Sequence, residues 1–151
     1  MHADHGSPEG KALLSELAPD ALIEVMAHAQ LGEARRLLDA GSAARALPIY
    51  KSLLATDGIP DMVRRAARAG SGEALAQMGE LRDALDIWRA LLAEPNSTTD
   101  RIQLELLVAS GLLQGGKRKE AATAFRSLAD SENKEASIQG LLGLAEVARA
   151  G

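Results

Sequence analysis

Apolar residues recur at intervals of three and four along most of the chain, which is the spacing of amphipathic helices. After a short helical stretch over residues 13–17, the pattern predicts helices over residues 19–40, 42–55, 61–78, 80–93, 97–115, 117–130 and 133–149. The predicted connections are no longer than about six residues, which favours antiparallel packing of successive helices. Residues 1–10 show no periodicity and predict a flexible tail, so residues 11–151 form one predicted helical domain.

Individual residues mark several of these helix ends. Ser42 and Ser97 precede predicted helices and belong to the residue types that favour the N-cap position. Pro48 lies inside the second long helix, so it should either kink that helix or delay its start, because proline lacks the backbone N–H.

Composition supports an all-α fold. Of the 151 residues, 29 are Ala and 24 are Leu, whereas aromatic residues make up only 2%. Alanine and leucine are strong helix formers, and the β-branched and aromatic residues that strands favour are scarce. The chain has no cysteine, which excludes a disulfide scaffold, a Cys-ligated zinc site and a cysteine nucleophile.

The predicted helices form pairs, and the pairs repeat with a period of 38 and then 37 residues. Each second helix has a glycine, an alanine five residues later, an aromatic four after that and a leucine three further on. These sets are Gly41, Ala46, Tyr50 and Leu53; Gly79, Ala84, Trp88 and Leu91; and Gly116, Ala121, Phe125 and Leu128. Each first helix has a small residue seven before the glycine (Ala34, Gly72, Ala109) and a leucine four before it (Leu37, Leu75, Leu112). All three aromatics of the chain therefore occupy one repeat position.

This pattern resembles the tetratricopeptide repeat family over about residues 27–150. The resemblance implies an α-solenoid of three antiparallel helix pairs followed by a half-repeat. It also implies close helix crossing at the small residue, a left-handed loop glycine and an aromatic wedge between repeats. The chain departs from the usual period of about 34 residues. Gln30 and Arg68 stand where the family places large apolar residues, and its inter-repeat proline is shifted to Pro60 and Pro95.

The last predicted helix fits the start of a fourth repeat, with Ala145 lying 36 residues after Ala109. It either caps the stack or belongs to an excerpt of a longer protein. A capping helix usually has a polar outer face. Few charges accompany its apolar residues, which favours an excerpt or an end covered by a partner. Those apolar residues are Ile138, Leu141, Leu142, Leu144 and Val147.

Charge argues against nucleic-acid binding, because the net charge is −4 and the pI is near 5.4. The basic clusters at residues 64–68 and 117–119 are short and lack interleaved aromatics, so they predict solvated helix faces. No apolar run approaches the ~20 residues of a membrane span, which predicts no membrane insertion. Residues 1–10 show no secretory signal. The expected compartment is the cytoplasm, or the periplasm if a signal or anchor was removed.

Candidate chemistry is sparse, and we expect no catalytic, cofactor or metal site. Residues 111–118 match most of a phosphate-binding P-loop, but Arg118 replaces the required Ser/Thr and a helix precedes the loop. His2 and His5 lie in the predicted tail, and His28 has no second His or Cys on its helix face. The glycosylation pattern beginning at Asn96 is better explained by Ser97 as a helix cap.

The family resemblance implies that the first helices line a concave groove that holds a partner peptide. Carried over position by position, the groove consists of His28, Leu31, Arg35, Leu38, Asp39, Ala66, Ala69, Glu73, Ala76, Gln77, Gln103, Leu106, Ser110, Leu113 and Gln114. The lysine and asparagine clamp of the family's chaperone adaptors is absent. The expected function is a non-catalytic scaffold that binds a protein or peptide segment. The alternatives are a structural module that forms homo-oligomers through its terminal helices, and an accessory domain of a larger assembly.

Overall fold

A computed structural model of the protein describes residues 18–151, and every regular element in that range is an α-helix. The helices are α1 (Pro19–Asp39), α2 (Ala43–Leu54), α3 (Asp61–Gln77), α4 (Leu81–Leu92), α5 (Thr98–Gln114), α6 (Arg118–Ala129) and α7 (Lys134–Ala150). The all-α prediction is confirmed, with each helix end within two residues of its predicted position. The predicted tail and the stretch over residues 13–17 lie outside the described residues.

The helix lengths repeat along the chain. Helices α2, α4 and α6 each have 12 residues, and α3, α5 and α7 each have 17. Each helix packs against its neighbours in the chain, and each odd-numbered helix also contacts the next odd-numbered one. The odd-numbered helices therefore lie side by side, and the even-numbered helices pack against them.

The three turns within helix pairs share one structure. Gly41, Gly79 and Gly116 have φ between +80° and +86°, a left-handed conformation that costs other residues free energy. In each turn the residue after the glycine donates its N–H at 2.8 Å to the carbonyl of the leucine four residues before the glycine. This is the Schellman arrangement, which satisfies the last carbonyls of the helix. The predicted left-handed glycines are confirmed.

The aromatic side chains pack between successive helix pairs, as predicted. Tyr50, Trp88 and Phe125 are at most 4% exposed. A Cβ added at Gly70 of α3 would clash with the Tyr50 ring, with Cε1 at 2.6 Å, and one at Gly143 of α7 would clash with the Phe125 ring, with Cγ at 2.5 Å. Glycine is required at these positions because the ring of the preceding pair occupies the space of a side chain.

Trp88 contacts both neighbouring odd-numbered helices. A Cβ at Gly72 of α3 would lie 2.5 Å from Trp88 Nε1, and one at Gly111 of α5 would lie 2.9 Å from the ring. Ala34 and Ala109, which occupy the repeat position of Gly72, are fully buried. The predicted close crossing at the small residues is confirmed.

The basic cluster of α3 is not a solvated face, so that prediction is wrong. Arg65 and Arg68 pair with Glu94 in the turn before α5, at 3.1 Å and 2.7 Å. Arg64 donates to carbonyls at the end of α2, including Leu54 O at 3.2 Å. Cations favour the C-terminal end of a helix, where the last carbonyls lack helical partners. These arginines therefore fix the inter-pair turns to α3.

Of the two predicted serine caps, one is confirmed and one is wrong. Ser97 caps α5 as predicted, because its hydroxyl oxygen accepts the N–H of Asp100 at 3.1 Å. Ser42 occupies the N-cap of α2 but makes no side-chain cap hydrogen bond, since its ψ of 54° lies far from the extended conformation of a capping residue. Pro48 does not delay the start of α2, which begins at Ala43 and continues through the proline.

Candidate functional site

An elongated groove runs between α3 and α5, with α4 as its floor. Its larger part has a volume of about 430 Å³. Most of the side chains that line it are apolar, and three polar ones stand at its rim. The lining residues are Met62, Arg65, Ala66, Ala69, Leu91, Asp100, Gln103, Leu104 and Leu107. This volume falls within the ordinary range for ligand pockets, roughly 300–1,000 Å³.

Small side chains on α3 open this part of the groove. Ala66 and Ala69 lie one turn apart on the helix. Because their side chains are single methyl groups, they do not fill the space between α3 and α5. A hydrogen bond joins the floor to one wall, because Trp88 Nε1 of α4 donates to the carbonyl of Ala69 of α3 at 3.1 Å. Leu91 and Leu104 are buried and complete an apolar surface beneath an open mouth.

The groove continues into a smaller and more polar part of about 200 Å³. Leu107 lines both parts. The other residues of the smaller part are Glu73, Ala76, Gln77, Trp88, Ser110, Gly111 and Gln114. A single extended ligand can therefore contact an apolar surface at one end and carboxylate, amide and hydroxyl groups at the other.

The space between α1 and α3 is closed by side chains. Arg35 donates two hydrogen bonds to the carboxylate of Glu73, at 2.9 Å and 3.2 Å, and a third to Asp39 at 3.1 Å. The hydrogen bond and charge of Glu73 raise the pKa of Arg35 above its ordinary value. Gln77 Nε2 also donates to the carbonyl of Leu38 at 3.3 Å. A bidentate pair of this kind fixes the spacing of two helices.

The structure brings together eight of the fifteen predicted groove residues. Ala66, Ala69 and Gln103 line the larger part, and Glu73, Ala76, Gln77, Ser110 and Gln114 line the smaller part. The remaining seven line neither part. Those residues are His28, Leu31, Arg35, Leu38, Asp39, Leu106 and Leu113.

Leu38 is a wrong prediction. It is 1% exposed and belongs to the core beneath α1, so no partner can reach its side chain. Its buried position follows from the helix period: Ala34 and Leu38 are four residues apart, and both face inward. Leu31, Leu106 and Leu113 are half-buried and pack against the core clusters.

Six residues of the larger part were missed by sequence reasoning: Met62, Arg65, Leu91, Asp100, Leu104 and Leu107. For Leu107 a signal existed, because it continues the helix face that carries Gln103 and Ser110 at spacings of four and three. Leu91 comes from the second-helix layer, and nothing in the repeat pattern shows that its side chain reaches the groove.

The charges at the rim are opposite in sign and stand on opposite walls. Arg65 on α3 donates to Glu94 at 3.1 Å and to the side-chain oxygen of Asn96, and Asn96 Nδ2 donates to the carbonyl of Leu91 at 3.1 Å. Asp100 lies in the first turn of α5. The rim therefore has no strong excess of either charge.

Within residues 18–151, no group of three or more His, Asp or Glu side chains is placed to hold a metal ion. Among the helices of that range, none is long and apolar enough to cross a membrane. Comparisons with protein-family models, curated proteins and solved structures give no match to this chain.

Proposed function

We propose that this protein is a non-catalytic scaffold that binds a peptide segment of a partner protein in the groove between α3 and α5. The resemblance to tetratricopeptide repeats supports a solenoid arrangement of the helix pairs. The observation that carries the proposal is the groove itself. Its accessible apolar surface consists of the exposed Met62 and Ala66 and the half-buried Ala69 and Leu107, which lie above the buried Leu91 and Leu104.

The shape of the groove favours one kind of ligand. The larger part accommodates a bulky apolar side chain against Met62, Ala69 and Leu107. The smaller part offers the exposed side chains of Ser110 and Gln114 to the backbone or to polar side chains of the same segment. Affinity then comes chiefly from buried apolar area, and the rim charges orient the ligand.

Ala66→Arg tests the site directly. Ala66 is exposed in the wall of the groove, so arginine is tolerated by the helix and its side chain fills the larger part. The matched control is Ala44→Arg, at an exposed position in the first turn of α2 that lines neither part of the groove. Both variants should keep the far-ultraviolet circular dichroism of the wild type.

The probe is a displayed library of random peptides selected on the immobilised wild-type protein. Selected peptides should be enriched in large apolar residues and should bind the Ala44→Arg variant as they bind the wild type. Binding to Ala66→Arg should fall by at least about tenfold, since roughly 1.4 kcal/mol of lost contact suffices for that change. Peptides that bind both variants equally would show that the groove is not the site.

Salt dependence is a second readout of the same proposal. Because the rim is balanced in charge, peptide affinity should change only slightly between about 50 and 200 mM salt, a range in which proteins that bind the phosphate backbone of nucleic acids lose orders of magnitude. A steep loss of affinity would assign the binding to charged surfaces elsewhere.

A further inference from the structure

Helix α7 has an exposed apolar face on the side that does not pack against α6. Ile138 is 48% exposed, and Leu141 and Leu142 are each 58% exposed. On the other side of the helix, Ala136, Gly140, Gly143 and Val147 are buried. Three of the five apolar residues noted for this helix in the sequence are therefore exposed, whereas Val147 is buried and Leu144 packs against the core.

The repeat shows how such a face is used elsewhere in the chain. Helix α7 begins 36 residues after α5, so Ile138, Ala145 and Ala148 correspond to Ile102, Ala109 and Leu112. Those three residues of α5 are at most 9% exposed, and α5 packs against α6. The corresponding three residues of α7 are exposed. This face therefore has the position and composition of a helix-packing surface.

The residues of the exposed face have the spacing of a coiled-coil seam. Glu135, Ile138, Leu142, Ala145 and Arg149 follow one another at intervals of three, four, three and four residues. An acidic residue and a basic residue stand seven positions to either side of Leu142. The face thus carries opposite charges at its two ends and an apolar centre.

We propose that α7 binds α7 of a second copy of this chain, with the two helices antiparallel and crossing near Leu142. Antiparallel pairing places Glu135 of one copy beside Arg149 of the other, and two-fold symmetry makes this contact twice. Parallel pairing would place like charges together at both ends. Charge complementarity therefore selects a second copy of the chain and also the direction of its helix.

The charged ends are available for this contact. The side chain of Arg149 is 78% exposed, and its pair with Glu146 at 2.6 Å is a surface contact that water can replace. Lys134, next to Glu135, is also exposed and adds a positive charge that lies beside the seam rather than on it. One helix pair is a small interface, and interfaces of that size form complexes that dissociate on dilution.

Sedimentation equilibrium over a concentration series tests the proposal. The wild type should pass from monomer to dimer as its concentration rises, and Leu142→Glu, which brings two carboxylates together at the centre, should stay monomeric. The matched control is Met78→Glu, because Met78 is 47% exposed at the end of α3 and should not affect dimerisation. A wild type that is monomeric throughout overturns the proposal.

Charge reversal tests the direction of the pair. Glu135→Arg alone and Arg149→Glu alone should each weaken the dimer by about tenfold, since each creates two like-charge contacts. The double variant should restore the wild-type dissociation constant. If the double variant is as weak as the single variants, antiparallel pairing through these residues is wrong.

Crosslinking gives a readout that does not depend on affinity. The chain has no cysteine, so Leu142→Cys introduces a single thiol at the proposed two-fold axis. Oxidation should yield a disulfide-linked dimer rapidly, whereas Met78→Cys should not be linked. Equal yields from both variants overturn the proposal. None of the α7 residues lines the groove, so failure here leaves peptide binding unaffected.

Discussion

Gly140→Ala should destabilise the protein, although alanine is the better helix former. Gly140 lies in the middle of α7, where it meets α6. A Cβ at this position would clash with the backbone N of Ala129 and lie 2.6 Å from the carbonyl oxygen of Phe125. Ordinary contacts of a Cβ begin near 3.4 Å, so the two helices would have to separate by about 1 Å.

The magnitude follows from two opposing effects. Overpacking a tight contact costs about 1–3 kcal/mol, and the upper end applies here because backbone atoms cannot rotate away as a side chain does. Replacing glycine by alanine inside a helix returns about 1 kcal/mol. The free energy of unfolding should therefore fall by about 2 kcal/mol.

Gly32→Ala is the matched control. It makes the same chemical change within α1, at a position where an added Cβ has no neighbour within 4 Å. This variant should be more stable than the wild type by up to about 1 kcal/mol, which leaves a difference of about 3 kcal/mol between the two alanine variants. Urea denaturation followed by circular dichroism measures both. If Gly140→Ala is as stable as Gly32→Ala, the close packing of α6 against α7 is wrong.

Two further predictions concern the aromatic residues. Trp88 is 2% exposed, so its native fluorescence should be blue-shifted, and Trp88→Ala should cost about 3–5 kcal/mol; a solvent-like native emission maximum would contradict the repeat register. Burial raises the pKa of Tyr50 above its ordinary 10.0, an effect that the charge of Arg35 partly opposes. The unfolded phenol therefore ionises first as pH rises, so stability present below about pH 10 is lost above it. Tyr50→Phe should show a smaller loss of stability between about pH 9 and 11 than the wild type, and equal losses in both proteins would refute the assignment.

The helices could be predicted because their signals are local. Each turn within a pair depends on one glycine and one leucine, because the residue after the glycine donates its N–H to the carbonyl of that leucine. All three residues lie within a stretch of six. The aromatic position was equally visible, since Tyr50, Trp88 and Phe125 repeat at the helix-pair period. Such features depend on backbone conformation and side-chain size, which sequence records directly.

The groove could be predicted only in part, because it depends on contacts between helices one period apart. Arg35 and Glu73 are separated by 38 residues, and their ion pair closes the space between α1 and α3. Ala66 and Gln103 are separated by 37 residues and leave the next space open. The repeat period shows that these residues are neighbours. Whether long side chains meet or small ones leave a gap depends on their conformations, and sequence does not record those.

The proposed dimer would bring two grooves into one complex. The groove lies between α3 and α5, whereas the seam lies on α7, so no residue of the seam lines the groove. A partner with two binding segments would then meet its second groove at an effective concentration set by the link between the segments. Its apparent affinity would rise with protein concentration as dimers form. Leu142→Glu would remove that gain while leaving the affinity of an isolated peptide unchanged, which separates avidity from the contacts of the groove itself.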